Sequence, residues 1–288
     1  MVPRNYNLSI VLPCYNEAQN LEPLLVKLKQ AQPDAELLLI DDCSTDDSRK
    51  IAEQQAIKVI PHLQNMGNGA CIKTGIRNAQ GEVVIFMDAD GQHDPDDINL
   101  LLDKLDEGYD MVVGARNQAS HASFLRRVGN NFYNKVASVI TRYKIEDLTS
   151  GFRAVRAKIF KEFIHLYPNG FSYPTTCTMA FIRSGYQIAY IPIVAGTRGG
   201  KSHLNPIRDG LKFLIIIFKV GTLYSPLKLF LPISLLHLLT GMSYYTYTFF
   251  TAGRFTNMSA LFIIAAMLIF LIGLVSEQIT ALLYHKKE

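Results

Sequence analysis

Two stretches near the C-terminus, residues 229–253 and 255–276, contain no Asp, Glu, Lys or Arg over 25 and 22 positions. A helix needs about 20 apolar residues to cross ~30 Å of hydrocarbon, so each stretch is long enough to span a bilayer. Only Arg254 and a short polar turn separate them, which makes the pair a helical hairpin. The alternative, two buried helices of a soluble core, would need many more residues to wrap around them. Arg208, Lys212, Lys219 and Lys228 precede the first stretch, and His285, Lys286 and Lys287 follow the second; Arg254 alone marks the other side. The positive-inside tendency therefore predicts a two-pass protein with both ends, and everything N-terminal, in the cytosol.

Residues 205–226 have a geometry of their own. At about 100° per residue, Arg208, Lys212 and Lys219 fall within about 40° of one another on a helix. Leu211, Phe213, Leu214, Ile217 and Phe218 cover much of the opposite side. This pattern predicts an interfacial helix with its basic side toward anionic headgroups, in preference to an amphipathic helix packed on a soluble domain. The resulting division is a cytosolic domain over residues 1–204, the interfacial helix over 205–226, and two transmembrane helices with a short tail over 227–288.

The remaining two thirds mix apolar and polar residues as a soluble domain does, and hold most of the Asp and Glu. The net charge of +4 is too mild to call for nucleic acid. Cys14, Cys43, Cys71 and Cys177 lie far apart with no C-x-x-C pair, so they read as reduced thiols rather than a disulfide frame or zinc site. Residues 1–6 lack a signal-peptide pattern, and the first apolar run, 8–12, is too short for one.

Apolar or β-branched runs at 8–12, 37–40, 58–60, 83–87 and 111–113 predict strands. Segments 21–30, 46–55, 69–79 and 95–107 have helical spacing, the last opened by Pro95 behind Asp94 as N-cap. Such alternation predicts an α/β domain with a mainly parallel sheet, whose ligands bind beyond the carboxyl ends of the strands.

Those ends are acidic. Pro13, Cys14, Tyr15, Asn16 and Glu17 follow the first strand; Asp41, Asp42, Ser44, Thr45 and Asp46 the second; Asp88, Asp90, Gly91, Gln92, His93 and Asp94 the fourth. Unpaired carboxylates gathered on one edge would repel, raising their pKa values, and a divalent cation removes that conflict. Asp88 and Asp90 can point at one hard cation, Mg²⁺ or Mn²⁺, which takes oxygen ligands and keeps substrate phosphates in its shell. Gly67-Asn68-Gly69-Ala70 opens a helix. It reads either as a phosphate loop or as a place of close backbone packing, and lacks the Lys-Ser/Thr of a nucleotide-triphosphatase loop.

Taken in order, Leu12-Pro13-Cys14-Tyr15-Asn16-Glu17, Asp41-Asp42-Cys43-Ser44-Thr45-Asp46, Asp88-Ala89-Asp90-Gly91-Gln92-His93 and Asp147-Leu148-Thr149-Ser150-Gly151-Phe152-Arg153 resemble the family 2 glycosyltransferases. The match is nearest to their dolichyl-phosphate mannosyltransferase and polyprenyl-phosphate glycosyltransferase branch, and covers about residues 6–203. The resemblance implies a GT-A fold and inverting, metal-dependent transfer of a sugar from a nucleotide sugar to a polyprenyl phosphate at the bilayer. It implies that Pro13, Tyr15, Glu17 and Asp42 hold the nucleotide, with Asp88. Asp88, Asp90 and Gln92 would hold the metal and diphosphate. A phosphate monoester is mostly deprotonated at neutral pH, with a second pKa near ~6, so no strong base is required. What is required is cationic placement of two anions. Arg116, Arg127, Arg153, Arg198, Lys201 and Ser202 are the candidates, with Asp90, Asp147 and Arg116 at the chemical step and Asp147 in an orienting role.

The sequence departs from that pattern at His203, where a lysine is usual. No glutamate precedes Ala189-Tyr190-Ile191-Pro192-Ile193, and Thr175 and Thr176 stand where relatives often have an acid. A processive polysaccharide synthase would carry a Gln-x-x-Arg-Trp motif, and this chain has no tryptophan. A membrane protein that binds a nucleotide sugar without turnover is the rival from another class. Sugar, nucleotide base and oligomeric state are open, a homo-oligomer being compatible with everything above.

Overall fold

The computed structural model describes residues 4–116, 124–170, 173–194, 196, 215, 218, 219, 221, 222 and 224–284, with the backbone alone over 124–130. Two compact units divide the chain: Met1–Lys135 with Tyr143–Asn205, and Val136–Arg142 with Pro206–Glu288.

The first unit opens with β1 (Leu8–Cys14), α1 (Ala18–Ala31), β2 (Glu36–Asp41), α2 (Ser48–Gln54), β3 (Lys58–Pro61), α3 (Asn68–Asn78) and β4 (Val83–Phe86). These four strands pair in parallel, as the alternation predicts. After α4 (Asp97–Asp106) and β5 (Met111–Arg116) come α5 (Phe124–Thr141), β6 (Arg153–Arg156), α6 (Ala157–Glu162), α7 (Tyr173–Arg183) and β7 (Ile188–Ile193). The sheet order is β3-β2-β1-β4-β6-β5-β7. β6 is antiparallel to both neighbours, Arg153 standing opposite Phe86 and Val113. Its reversal brings the start of β6, and the loop 147–152 before it, to the edge where the parallel strands end.

Side-chain alternation builds a core on each face of the sheet. Ile10, Leu12 and Cys14 of β1 pack with Leu39, Ile85 and Val112 and with Leu21, Leu25 and Leu28 of α1 and Leu101 and Leu105 of α4. Val11 points the other way, so close to α3 that a side chain at Gly75 would meet its Cγ1 at 2.2 Å.

One expectation needs correction, and two open readings are resolved. Helix α4 starts at Asp97 rather than Pro95, and its N-cap is Asp96, without a side-chain bond. Asp94 instead closes the preceding turn, its carboxylate accepting from Asp96 N at 3.1 Å. The glycines of 67–70 serve close packing: a side chain at Gly69 would meet Pro168 O at 2.1 Å, and Ala70 N donates to Asn169 O at 2.9 Å. That carbonyl takes up one of the free N–H groups at the α3 terminus that a phosphate would use. Last, Asp42 and Asp46 after β2 are lowered rather than raised, as shown below.

In the second unit, α8 (Pro226–Ala252) and α9 (Asn257–Leu283) are joined at Gly253, whose φ of 64° ends α8 with its N–H on Phe249 O. Within an apolar stretch of 18 residues in each helix, 11 % and 17 % are buried, so neither helix is enclosed by the rest of this chain. What is buried between them is small and spaced by seven: Ser234, Gly241 and Thr248 on α8; Ser259, Ala266, Gly273 and Thr280 on α9. Small residues let backbones approach, as in membrane hairpins, and Ser234 Oγ reaches Ala266 O at 2.8 Å. Glu277 caps α8 from its neighbour, accepting from Ser225 Oγ at 3.0 Å and Leu227 N at 3.1 Å, where the helix N-terminus favours negative charge. Tyr224 Oη and Lys228 Nζ each donate at 3.0 Å to Thr141 O and Ile140 O, the last carbonyls of α5. Of the expected interfacial helix, residues 205–214 lie outside the described residues.

Candidate active site

The loops after β1 and β2 interlock. Asn16 and Cys43 take positive φ values of 55° and 66°, turning each chain sharply at the strand end. Asn16 N donates to Ser44 Oγ, Thr45 N to Asn16 Oδ1, Glu17 N to Ser48 Oγ and Ala18 N to Asp46 Oδ2, all within 2.8–3.0 Å. Asp42 is buried and accepts from His62 Nδ1 at 2.8 Å, Met66 N at 2.9 Å and Gly67 N at 2.8 Å. Burial pushes its pKa up, but these donors outweigh it and hold the carboxyl below the ordinary range. Asp46 is lowered in the same way, burial being outweighed by Ser48 and Ala18. Hydrogen bonds, not a cation, resolve the crowding at this strand end. Tyr15, by contrast, keeps its ring 48 % exposed, open to stacking by a base.

Asp42, His62 and Cys71 also lie within 4.8 Å of one another, a grouping that could hold a metal. Both ring nitrogens of His62 already have partners, Asp42 and Thr74 Oγ1 at 2.9 Å, and burial pushes the Cys71 thiol up. The trio is closed by its own hydrogen bonds.

The edge after β4 differs. Asp88 accepts from Asn68 Nδ2 at 3.0 Å and faces Gly151, where a side chain would stand 2.9 Å from its Oδ2. Asp90 accepts from Gln92 N at 3.1 Å, and Gln92 O accepts from Gly196 N at 2.8 Å. This donor set is all oxygen and half-buried, with Asp88 seated close against the Gly151 backbone, and it suits a hard divalent ion.

Next to it, Arg116 at the end of β5 forms a two-pronged ion pair with Asp147: Nε to Oδ2 at 2.8 Å and Nη2 to Oδ1 at 3.0 Å. Thr149 and Ser150 add backbone N–H bonds to Asp147 Oδ1 at 3.0 and 3.1 Å. Burial works against both charges. The pair outweighs it, lowering Asp147 and raising Arg116. An aspartate so bound orients the arginine and the loop and is a poor base, in keeping with the orienting role. His93 stacks on Phe152 at 4.9 Å; burial foremost, with Arg116, pushes its pKa down to about 4, against Asp90 and Asp147.

The expected residues thus divide. Pro13, Tyr15, Glu17, Asp42, Asp88, Asp90, Gln92, Arg116 and Asp147 stand at the ends of neighbouring strands. Arg153 does not join them at the surface: its side chain is fully buried on the α7 face of the sheet, donating to Pro174 O at 3.2 Å and Thr178 Oγ1 at 3.4 Å. A phosphate could reach it only by displacing the start of α7, which removes it from the acceptor set. Arg127, Arg198, Lys201, Ser202 and His203 lie outside the described side chains. The sequence reading missed Asn68 and Gly151, which hold Asp88 from two sides, and His62, which holds Asp42. The Gly-Asn-Gly run and the Ser-Gly-Phe turn were visible, but their distance in sequence from the carboxylates they serve hid the pairing.

With this geometry established, comparison with known proteins is informative. The glycosyl transferase family 2 model matches residues 9–164, more than half of the chain, and the protein belongs to that family. Residues 225–282 match the GtrB C-terminal hairpin. The undecaprenyl-phosphate 4-deoxy-4-formamido-L-arabinose transferase of Proteus mirabilis is 34 % identical over 52 % of this chain and 49 % of its own length. The polyprenol monophosphomannose synthase of Mycolicibacterium smegmatis is 26 % identical over 64 % of this chain and 75 % of its own. Glucosyl-3-phosphoglycerate synthase from Mycobacterium tuberculosis, solved with Mn²⁺, UDP-glucose and phosphoglyceric acid, has a TM-score of 0.60 and 17 % identity, covering 75 % of this chain and 80 % of that one. The shared fold is GT-A.

Proposed function

We propose that this protein transfers a glycosyl group, with inversion, from a nucleotide sugar of the GDP-mannose or UDP-glucose type to a polyprenyl phosphate at the cytosolic membrane face. The observation that carries the proposal is the presence in one chain of the Asp88/Asp90 edge of a family 2 domain and a C-terminal hairpin of the GtrB type. The names of the two relatives supply the acceptor class.

Asp88, Asp90 and Gln92 would hold Mg²⁺ or Mn²⁺, which when bound offsets the charge of the departing nucleoside diphosphate. The rest falls to the chain's own groups. Tyr15 offers its open ring to the base, and Pro13, Glu17 and Asp42 line the nucleotide's side. Arg116, steadied by Asp147, meets the incoming phosphate oxygen, already anionic near neutral pH. Arg127, Arg198, Lys201 and Ser202 complete the acceptor contacts. Lys219 and Lys228 before the hairpin, against Arg254 alone at its turn, support the cytosolic orientation.

Membranes carrying the protein, incubated with labelled nucleotide sugars and Mn²⁺ and extracted for lipid, test this directly. Label in a mild-acid-labile lipid fraction is expected. Nucleotide-sugar binding with no lipid product would instead identify a sensor and overturn the proposal.

A further inference from the structure

Arg153 is the largest fully buried side chain of the molecule. A buried guanidinium is costly unless an anion answers it. Its acceptors are all uncharged: Pro174 O, Thr178 Oγ1, Ser150 O and Met111 Sδ, with the Tyr173 ring 5.8 Å away. Among the described residues no carboxylate lies within 4.0 Å of it, the ion pairs being those of other residues. The adjacent Cys177 is not a hidden counter-ion, because burial pushes its thiol up.

The sheet register supplies the second half. Arg153 stands opposite Val113, and Val113 opposite Tyr190. Residues in register on neighbouring strands project from the same face. Arg153 and Tyr190 therefore flank Val113 on the α7 side. Both carry a buried polar atom with no hydrogen-bond partner, Arg153 Nε and Tyr190 Oη. Burial pushes the Tyr190 phenol up, with the Arg153 charge the foremost opposing influence, so the phenol stays a donor beside the cation. Two buried donors without acceptors, and a guanidinium with no carboxylate within 4.0 Å, thus project from one face of the sheet, with Asp147 and Glu146 the acidic groups whose charge bears on Tyr190.

We propose that Arg153 and Tyr190 bind a small monovalent anion, chloride in the cell, between Nε–H and Oη–H. The bound ion neutralises the guanidinium and satisfies both orphaned donors. It braces the start of β6 against β7, and so steadies the loop 147–152 that carries Asp147 and Gly151. The site is separate from the sugar-transfer reaction, and its test needs no turnover.

Thermal unfolding of the full-length protein in detergent, in sodium chloride against sodium gluconate at equal ionic strength, reads the site. Wild-type melting should rise saturably with chloride, by about 3–6 °C for an ion present at about ten times its Kd. Tyr190→Phe should lose that response. In gluconate it should melt at or above wild type, because an unsatisfied buried hydroxyl has been removed. The two proteins should therefore exchange order as chloride is added. Arg153→Met should also be unresponsive if it folds, and Tyr190→Phe decides the matter if it does not. A wild type indifferent to chloride, as when water fills the space, overturns the proposal; so does a full response retained in Tyr190→Phe.

Discussion

Two acidic strand ends flank β1 in this fold, built from the same residue types, and they have opposite fates. At the end of β2, Asp42 is enclosed by His62 and two backbone N–H groups, and Asp46 by Ser48 and Ala18. At the end of β4, Asp88 accepts from the Asn68 amide and faces a glycine, while Asp90 takes the N–H of Gln92. The first pair spends its charge on holding two loops together. The second gathers carboxylate oxygens against the Gly151 backbone, a donor set that suits a hard divalent ion. Counting carboxylates does not separate these roles; what each carboxylate is turned toward does.

The contrast is sharpest for Asp90→Ala. Its transfer activity should fall by a factor of about 10³ or more, with melting temperature close to wild type, since the lost metal contact acts on the transition state. Near-normal turnover in a labelled-lipid assay would take the ion out of the mechanism. Asp147→Asn comes next. Breaking a buried ion pair and stranding Arg116 should reduce stability by about 3 kcal/mol. Asp147 is already held below the ordinary carboxylate range by Arg116, so it stays ionised across neutral pH. The wild-type rate should then show no Asp147 ionisation between pH 5 and 8, and the Asn variant should keep the same profile shape at lower amplitude. An acid limb that vanishes in Asp147→Asn would make it a base after all.

Asp42→Asn tests the closed end. An amide cannot accept from all three donors, and the loss should be about 2 kcal/mol of stability. Because the folded pKa of Asp42 is lowered, its contribution is present above the unfolded value near ~3.9 and is lost as pH falls through the folded one. Melting temperatures of wild type and variant should therefore differ by a constant amount above about pH 5 and converge in acid. A difference that persists at low pH would mean that shape rather than charge holds these loops.

How much of this was legible beforehand follows from the physics of each element. The first four strands are apolar runs between turn residues, and the periodicity located them. β6 is four residues, Arg-Ala-Val-Arg, bearing two cations and no apolar run, so neither its existence nor its reversed direction could be read. That reversal carries Gly151 to Asp88. Arg153 was misplaced for a related reason. In a strand, neighbours alternate faces, and only the register shows that Phe152 and Ala154 take the α4 face while Arg153 takes the other. The membrane hairpin was legible because absence of charge over 20 residues has few other causes. Its seam, by contrast, depends on which of many small residues meet.

The smallest effect isolates geometry from chemistry. Gly151→Ala changes no charge and removes no donor; it places a methyl group 2.9 Å from Asp88 Oδ2. The atom it meets is the end of a rotatable side chain, so the fold can yield by turning the carboxylate, at little cost in stability. The turned carboxylate, however, no longer shares its aim with Asp90, and a misplacement of a few tenths of an ångström in a binding group is felt in rate. Transfer should fall about tenfold, the apparent affinity for Mn²⁺ should weaken in parallel, and the melting temperature should move by no more than about 2 °C. The same change at Gly69 would drive a methyl group against the backbone carbonyl of Pro168 at 2.1 Å, where nothing can rotate away, and should unsettle the fold itself. If Gly151→Ala instead lowered the melting temperature as Gly69→Ala does while leaving Mn²⁺ affinity untouched, the β4 end would be as closed as the β2 end, and the distinction between them would fail.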